Sequence, residues 1–295
     1  MPSSEPLFRA QNVRVDDAKG PAIEKLDATT TGACVAFVGA PRSLFAAAAG
    51  MRDVTAGELF VAGMHPREAL RSGLVASAPA DVAVPARWSV EDLAIENARL
   101  AGRPRSEART RAHAAIRALK LDDSARAALG GLDLSVKRAA LLCAAIATGA
   151  EILVVEDFTV GVADGAARAL AKLFVTACEN KRWMFFAGRL ALSSPIGLNA
   201  DEALLFAGSR LVTAGLPAEI ATRDRTFTLR TSADASNMTA FADKLRARGA
   251  TVESPHDAAL TVTMPEDLST HELVAIARAE HVLVVELLPM SGALS

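Results

Sequence analysis

The chain has 295 residues, 51% hydrophobic and 22% charged, rich in alanine, without tyrosine and with a formal net charge of −2. That length suits about two domains on a prior of ~150 residues each, and the near-neutral charge excludes a general nucleic-acid or anionic-membrane surface. No apolar run reaches the ~18–20 residues that span a bilayer, and the leading MPSSEPLFRAQ lacks a charged-then-apolar signal layout. Cys34, Cys143 and Cys178 have neither metal-ligand nor redox spacing, so buried free thiols in a soluble, cytosolic protein without direct membrane insertion are expected. The five histidines (His65, His113, His256, His271, His281) have no ligand spacing either, and no metal site is expected.

LFRAQNVRV at 7–15 alternates loosely and suits a strand, broken by a charged turn from Asp16 to Pro21. ACVAFV at 33–38 is a continuous apolar run ending at Gly39, the mark of a buried strand. APRS follows, then the alanine helix LFAAAAG closed by Gly50. A strand is expected over Glu58 to Ala62, with His65-Pro66 as a turn after it, and another over Gly73 to Ser77. After a loop to Arg87 the period becomes helical, from Ser89 with acids in the first turn through Leu100, and again from Ser106 to Leu119. The arginine-rich face of this second helix (Arg105, Arg109, Arg111, Arg117) reads as a solvated face.

An apolar helix from Ser135 to Ala147 then leads through Gly149-Ala150 into ILVVE, a strand with Glu156 and Asp157 at its carboxyl end. Further on come a helix from Ala163 to Cys178, a buried strand RWMFFA, and a strand pair (203–207, 210–213) turned by Gly208-Ser209. From Arg225 the order is strand, helix, strand, strand, helix, strand, which describes a ferredoxin-like domain over 225–288.

A strand, a glycine and then a helix is the context of a phosphate loop, and a helix feeding a hydrophobic strand tipped with acids is how phosphate-binding α/β proteins place a magnesium-side carboxylate. In this order and spacing, residues 5–222 resemble an ABC transporter ATP-binding subunit. The segment DEALLFAGSRLVTAGLPAEI, matching at Asp201, Gly215 and Pro217, resembles that family's closing hairpin. The resemblance implies a P-loop-like mixed sheet with a helical subdomain at about 78–130. The small domain at 225–288 resembles the C-terminal extension of exporter-type subunits.

The family's chemistry is altered at each motif. A phosphate loop converges several backbone N–H groups on one anion, adds a lysine, and holds magnesium with a Ser/Thr hydroxyl. Here Gly39-Ala40-Pro41-Arg42-Ser43 lacks the interior glycines and the lysine, is short by about four residues of the G-x-x-x-x-G-K-[ST] pattern, and loses an N–H at Pro41. Arg42-Ser43 reads either as a distorted K-[ST] or as part of a short structural turn. Ser77 stands where the family has its magnesium-sensing glutamine. In the signature stretch LDLSVKR, Asp133 stands at the family's serine, with Leu134 and Ser135 at its glycines. Glu156 stands at the magnesium-side aspartate, Asp157 at the catalytic glutamate, Phe158 at the following proline, Ala163 at the D-loop aspartate, Gly188 at the switch histidine and Arg189 at the acid after it. No aromatic residue near 16–22 is placed to stack on adenine. Glu156 and Asp157 read either as solvated loop charges or as a residual metal site.

Truncating one partner of a hydrogen-bonded charge pair costs about 2–5 kcal/mol, whereas micromolar to millimolar affinity amounts to only ~8 to ~4 kcal/mol. ATP and magnesium are therefore not expected to bind tightly, and hydrolysis is not expected. The resemblance then implies a pseudo-ATPase, a structural or regulatory partner of an ABC ATPase subunit (as homo- or heterodimer) and of a membrane permease. It would be cytoplasmic and peripheral to the inner membrane through that permease. A weak ATPase using Arg42 and Asp157, and a stand-alone assembly or signalling module, are the alternatives.

Overall fold

Two strands, β1 (Phe8–Asp17) and β2 (Gly20–Thr29), open the chain as an antiparallel pair. The structure, a computed structural model, describes residues 5–18, 20–191, 194–223, 226–256, 259–265 and 267–289. β3 (Cys34–Val38) leads into α1 (Arg42–Ala48), and β4 (Ala56–Val61) returns to pair with β1, giving a sheet of order β2-β1-β4. Then follow α2 (Pro66–Arg71), β5 (Val75–Ala78), α3 (Val90–Leu100), α4 (Arg105–Ala118) and α5 (Leu134–Ala147). β6 (Ile152–Glu156), α6 (Asp164–Ala177), β7 (Arg182–Ala187), α7 (Pro195–Asn199), β8 (Glu202–Ala207) and β9 (Arg210–Gly215) complete this part.

The central sheet runs β5-β6-β7-β3-β8-β9, parallel throughout except for β9. Its parallel strands are near-continuous apolar runs because both faces are covered, one of them by the antiparallel sheet together with α1. β3 lies inside it, with Val35, Ala36, Phe37 and Val38 fully buried. Phe37 stacks on Phe186 at 4.3 Å between centroids and meets the edge of Phe8 at 4.9 Å, so the two sheets share one aromatic core. α3, opened by a reciprocal Ser89–Asp92 capping box, packs on α4 and α5.

Contacts divide the chain into Met1–Leu216 and Pro217–Ser295. The second unit holds α8 (Pro217–Arg223), β10 (Thr226–Ser232), α9 (Ala235–Ala247), β11 (Thr251–His256), β12 (Ala259–Thr263), α10 (Thr270–Ala279) and β13 (Leu283–Pro289). Its strand order β11-β12-β10-β13, antiparallel throughout, is the ferredoxin-like arrangement, with its own core around Leu229, Phe241, Leu245, Val262 and Leu273.

Three elements were not foreseen. β2 buries only Ile23 and Leu26 on its inner side, three residues apart across register shifts, so the period-two signal is broken. The turn expected at His65-Pro66 is instead the start of α2: His65 is its N-cap and Pro66 takes the first helical position, where a missing N–H costs nothing. α7 is a single short turn of helix whose Pro and Gly read as loop.

Candidate functional site

The turn from β3 to α1 is only Gly39-Ala40-Pro41. Gly39 adopts φ +75°, and its N–H donates to the carbonyl of Ala187 at 2.8 Å. A Cβ placed there would lie 2.4 Å from the Phe206 carbonyl oxygen, so β3 and β8 approach too closely for any side chain. Pro41 occupies the N-cap position of α1 without a capping side chain.

Arg42, the first residue of α1, forks onto the carboxylate at the end of β6. Its Nε lies 2.8 Å from Glu156 Oε1 and its Nη2 donates to Glu156 Oε2 at 3.3 Å. The same Nη2 donates to the Asp81 carbonyl at 3.0 Å, and Glu156 Oε2 also accepts the Ala80 N–H at 2.9 Å. Two-pronged contacts of this kind are the stronger form of Arg–carboxylate pair, although the guanidinium is 61% exposed and water screens part of the attraction. Ser43, next in the helix, is buried, and its hydroxyl has no hydrogen-bond partner among the described residues.

Asp157 is 8% exposed. Its Oδ1 accepts both the N–H of Thr159 at 2.8 Å and the Thr159 hydroxyl at 2.6 Å, while Arg138 donates to its backbone carbonyl at 3.1 Å. The sequence reading of these acids as solvated charges is corrected here, since Asp157 is buried and the Glu156 side chain is only 17% exposed. Glu156 is committed to Arg42 and a backbone amide, and Asp157 closes a local turn with Thr159. The D-x-T spacing was the available signal for that turn. The tie to Arg42 had none, since 114 residues separate the partners.

Burial is the largest cause pushing the Asp157 carboxyl above the usual aspartate range. Glu156 adds to it, and the Thr159 hydrogen bonds and Arg138 pull the other way. The folded state therefore holds this proton more tightly than the unfolded chain. Stability falls as pH rises through the interval that begins at the ordinary value of 3.8 and ends at the raised folded value. Asp157→Asn keeps an oxygen for Thr159 and removes that slope. Its melting temperature is expected to exceed the parent's by a few degrees at neutral pH and to converge with it below the ordinary aspartate value, as paired thermal melts at the two pH values will show.

A cavity of about 230 Å³ lies among Ala40, Arg42, Glu156, Asp157, Phe186 and Gly188. Gly188 follows β7 and is exposed, with nothing within 4 Å of where its Cβ would be. Asp133 and Ser135 do not line this cavity. Asp133 caps α5, its Oδ1 accepting the Val136 N–H at 3.0 Å and the Ser135 hydroxyl at 2.6 Å. Those two bonds, the Ser135 one foremost, hold its carboxyl below the usual range. Ser77 is half-buried inside β5, in register with Val154.

No protein-family model and no curated protein matches the sequence. Solved structures do. CbiO1 from Clostridium perfringens, described as part of the ABC transporter complex CbiONQ, aligns at TM-score 0.62 and 16% identity over 74% of this chain and 92% of that one. An ATP-binding subunit of an ABC transporter aligns at TM-score 0.62 and 13% identity over the same shares, 74% and 92%. The chain has the ABC ATPase fold. A structure described as an inward-facing conformation of a metal-chelate type ABC transporter aligns at TM-score 0.60 and 15% identity, covering 90% of this chain and 100% of that one. Within the ABC ATPase fold, Gly39, Arg42, Glu156, Asp157 and Gly188 gather at the carboxyl ends of β3, β6 and β7, where open α/β sheets bind their ligands. Among the described residues no helix is long and apolar enough to cross a membrane, and no group of three or more His, Cys, Asp or Glu side chains is placed to hold a metal ion.

Proposed function

We propose that this chain is a non-catalytic ABC ATPase-like subunit that acts as a structural or regulatory partner of a competent ATPase subunit and a membrane permease, on the cytoplasmic side. The observation that carries the reading is the Arg42–Glu156 fork. The chain's own cation sits on the one carboxylate that stands at the family's magnesium-side position. Magnesium there would have to displace a two-pronged guanidinium and a backbone N–H.

The other parts do not fit a magnesium triphosphate either. The Gly39 amide is engaged with Ala187, and Ser43 is not among the groups lining the cavity. The cavity's 230 Å³ also falls below the ~300–1,000 Å³ of typical small-molecule sites. A weak ATPase built on Arg42 and Asp157 requires Arg42 to leave Glu156, and requires as its base an aspartate that burial drives toward the neutral form.

Calorimetric titration of the purified chain with ATP and magnesium is expected to give no saturable heat into the millimolar range. Turnover should stay at background for the parent, Arg42→Ala and Asp157→Asn alike. An ABC ATPase subunit or a permease is expected to co-purify with the tagged chain from solubilised membranes. A dissociation constant tighter than about 0.1 mM, or turnover that either substitution abolishes, would overturn the non-catalytic reading. Co-purification without any transporter subunit would favour the stand-alone module.

A further inference from the structure

A second cavity, about 550 Å³, opens beyond the carboxyl ends of β6 and β7, between the first half of α6 and the start of α7. Its volume lies within the ~300–1,000 Å³ range of small-molecule sites, unlike the smaller cavity at Glu156. Phe185, Leu190 and Ile196 supply an apolar wall, and all three are buried. Arg168 of α6 and Arg189 after β7, both exposed, line the same cavity. Among the described residues neither has an ion-pair or hydrogen-bond partner, which is also true of several surface arginines such as Arg109 and Arg117, so it is their shared place in this cavity that sets them apart.

We infer that this cavity is a binding site for a small organic anion with an apolar body, its acid group held by Arg168 and Arg189 and its body laid against Phe185, Leu190 and Ile196. Arg168 and Arg189 share the cavity with one exposed carboxylate, Asp164, and one buried one, Asp157. The Asp157 Oδ1 is taken up by Thr159, and burial favours the neutral form of this acid, which weakens its repulsion of an anion. An apolar wall with a few convergent polar groups is the general make-up of a ligand pocket. Unpaired arginine forks suit a carboxylate, sulfonate or phosphate ester better than a neutral ligand. The two cavities share only Asp157, and Arg42, Glu156 and Gly39 take no part in this one.

The test compares two fluorescent probes on the full chain: anilinonaphthalene sulfonate, an aromatic anion, and phenyl-naphthylamine, its neutral counterpart. The anion is expected to bind saturably and about tenfold or more tighter than the neutral probe, the scale of a hydrogen bond to a charged group. The Arg168→Ala/Arg189→Ala double variant, altered only at exposed positions, should lose that margin. Ala171→Phe, which adds a ring inside the cavity, should abolish binding of both probes. Inorganic phosphate alone should compete weakly, since it lacks the apolar body. Equal affinity for the two probes, unchanged anion binding in the double variant, undiminished binding in a folded Ala171→Phe chain, or no saturable binding at all would each overturn the inference.

Discussion

Phe37→Ala is expected to destabilise the first unit by roughly 3–5 kcal/mol, the usual cost of emptying a large aromatic site in a packed core. Phe37 is fully buried on β3, stacked on Phe186, edge-on to Phe8, and 6.4 Å from Phe206 between ring centroids. Those neighbours come from β1, β7 and β8, so the ring joins the central sheet to the antiparallel one. Rigid strands on three sides leave the gap little room to collapse, and the cost should fall toward the upper end. Both tryptophans, Trp88 and Trp183, lie in the first unit, so their fluorescence follows its unfolding without interference from the second. A loss below about 1 kcal/mol would mean that β3 is not at the centre of this sheet.

Gly39→Ala should cost roughly 2–4 kcal/mol, combining a non-glycine residue at positive φ with a Cβ driven against a backbone oxygen. The clash is with the carbonyl of Phe206, at 2.4 Å, and backbone in a sheet cannot swing away as a flexible side chain does. The matched control is Gly188→Ala, whose added methyl meets nothing within 4 Å and should change stability by less than about 0.5 kcal/mol. The pair separates two reasons for a glycine after a buried strand. A phosphate-cradling glycine matters for ligand approach, and its loss would show mainly in binding. Gly39 matters for packing between β3 and β8, and its loss should show in the tryptophan-reported melt with no nucleotide present.

Most of the elements were legible because their signals are local. CVAFV, ILVVE and RWMFFA are continuous apolar runs of strand length, which is what strands covered on both faces look like. Ser89 with acids in the following turn announced α3, and the structure adds the Asp92 side chain folded back on the cap. β2, α2 and α7 escaped notice because a bulged edge strand and helices of one or two turns carry too few periods to register. The order of elements in the second unit likewise stood in its sequence, although only the pairing of β10 with both β12 and β13 makes it ferredoxin-like.

The site divides along the same line. Sequence alone set Arg42-Ser43, Ser77 and Gly188 at the positions where the resembled family carries its lysine, glutamine and histidine, since which residue types stand at those positions needs no coordinates. Where the remaining charges go was decided by the fold. Arg42 meets Glu156 only because β3 and β6 end on the same edge of one sheet, and Asp157 is buried beside β7, its N–H donating to the Phe186 carbonyl. Arg168 and Arg189, unremarkable in the sequence as sites, share a cavity for the same reason. Hydrophobic periodicity is a property of neighbours along the chain, so sequence determines the elements; the pairing and burial of charges depend on which element ends the packing brings together, and that belongs to the tertiary structure.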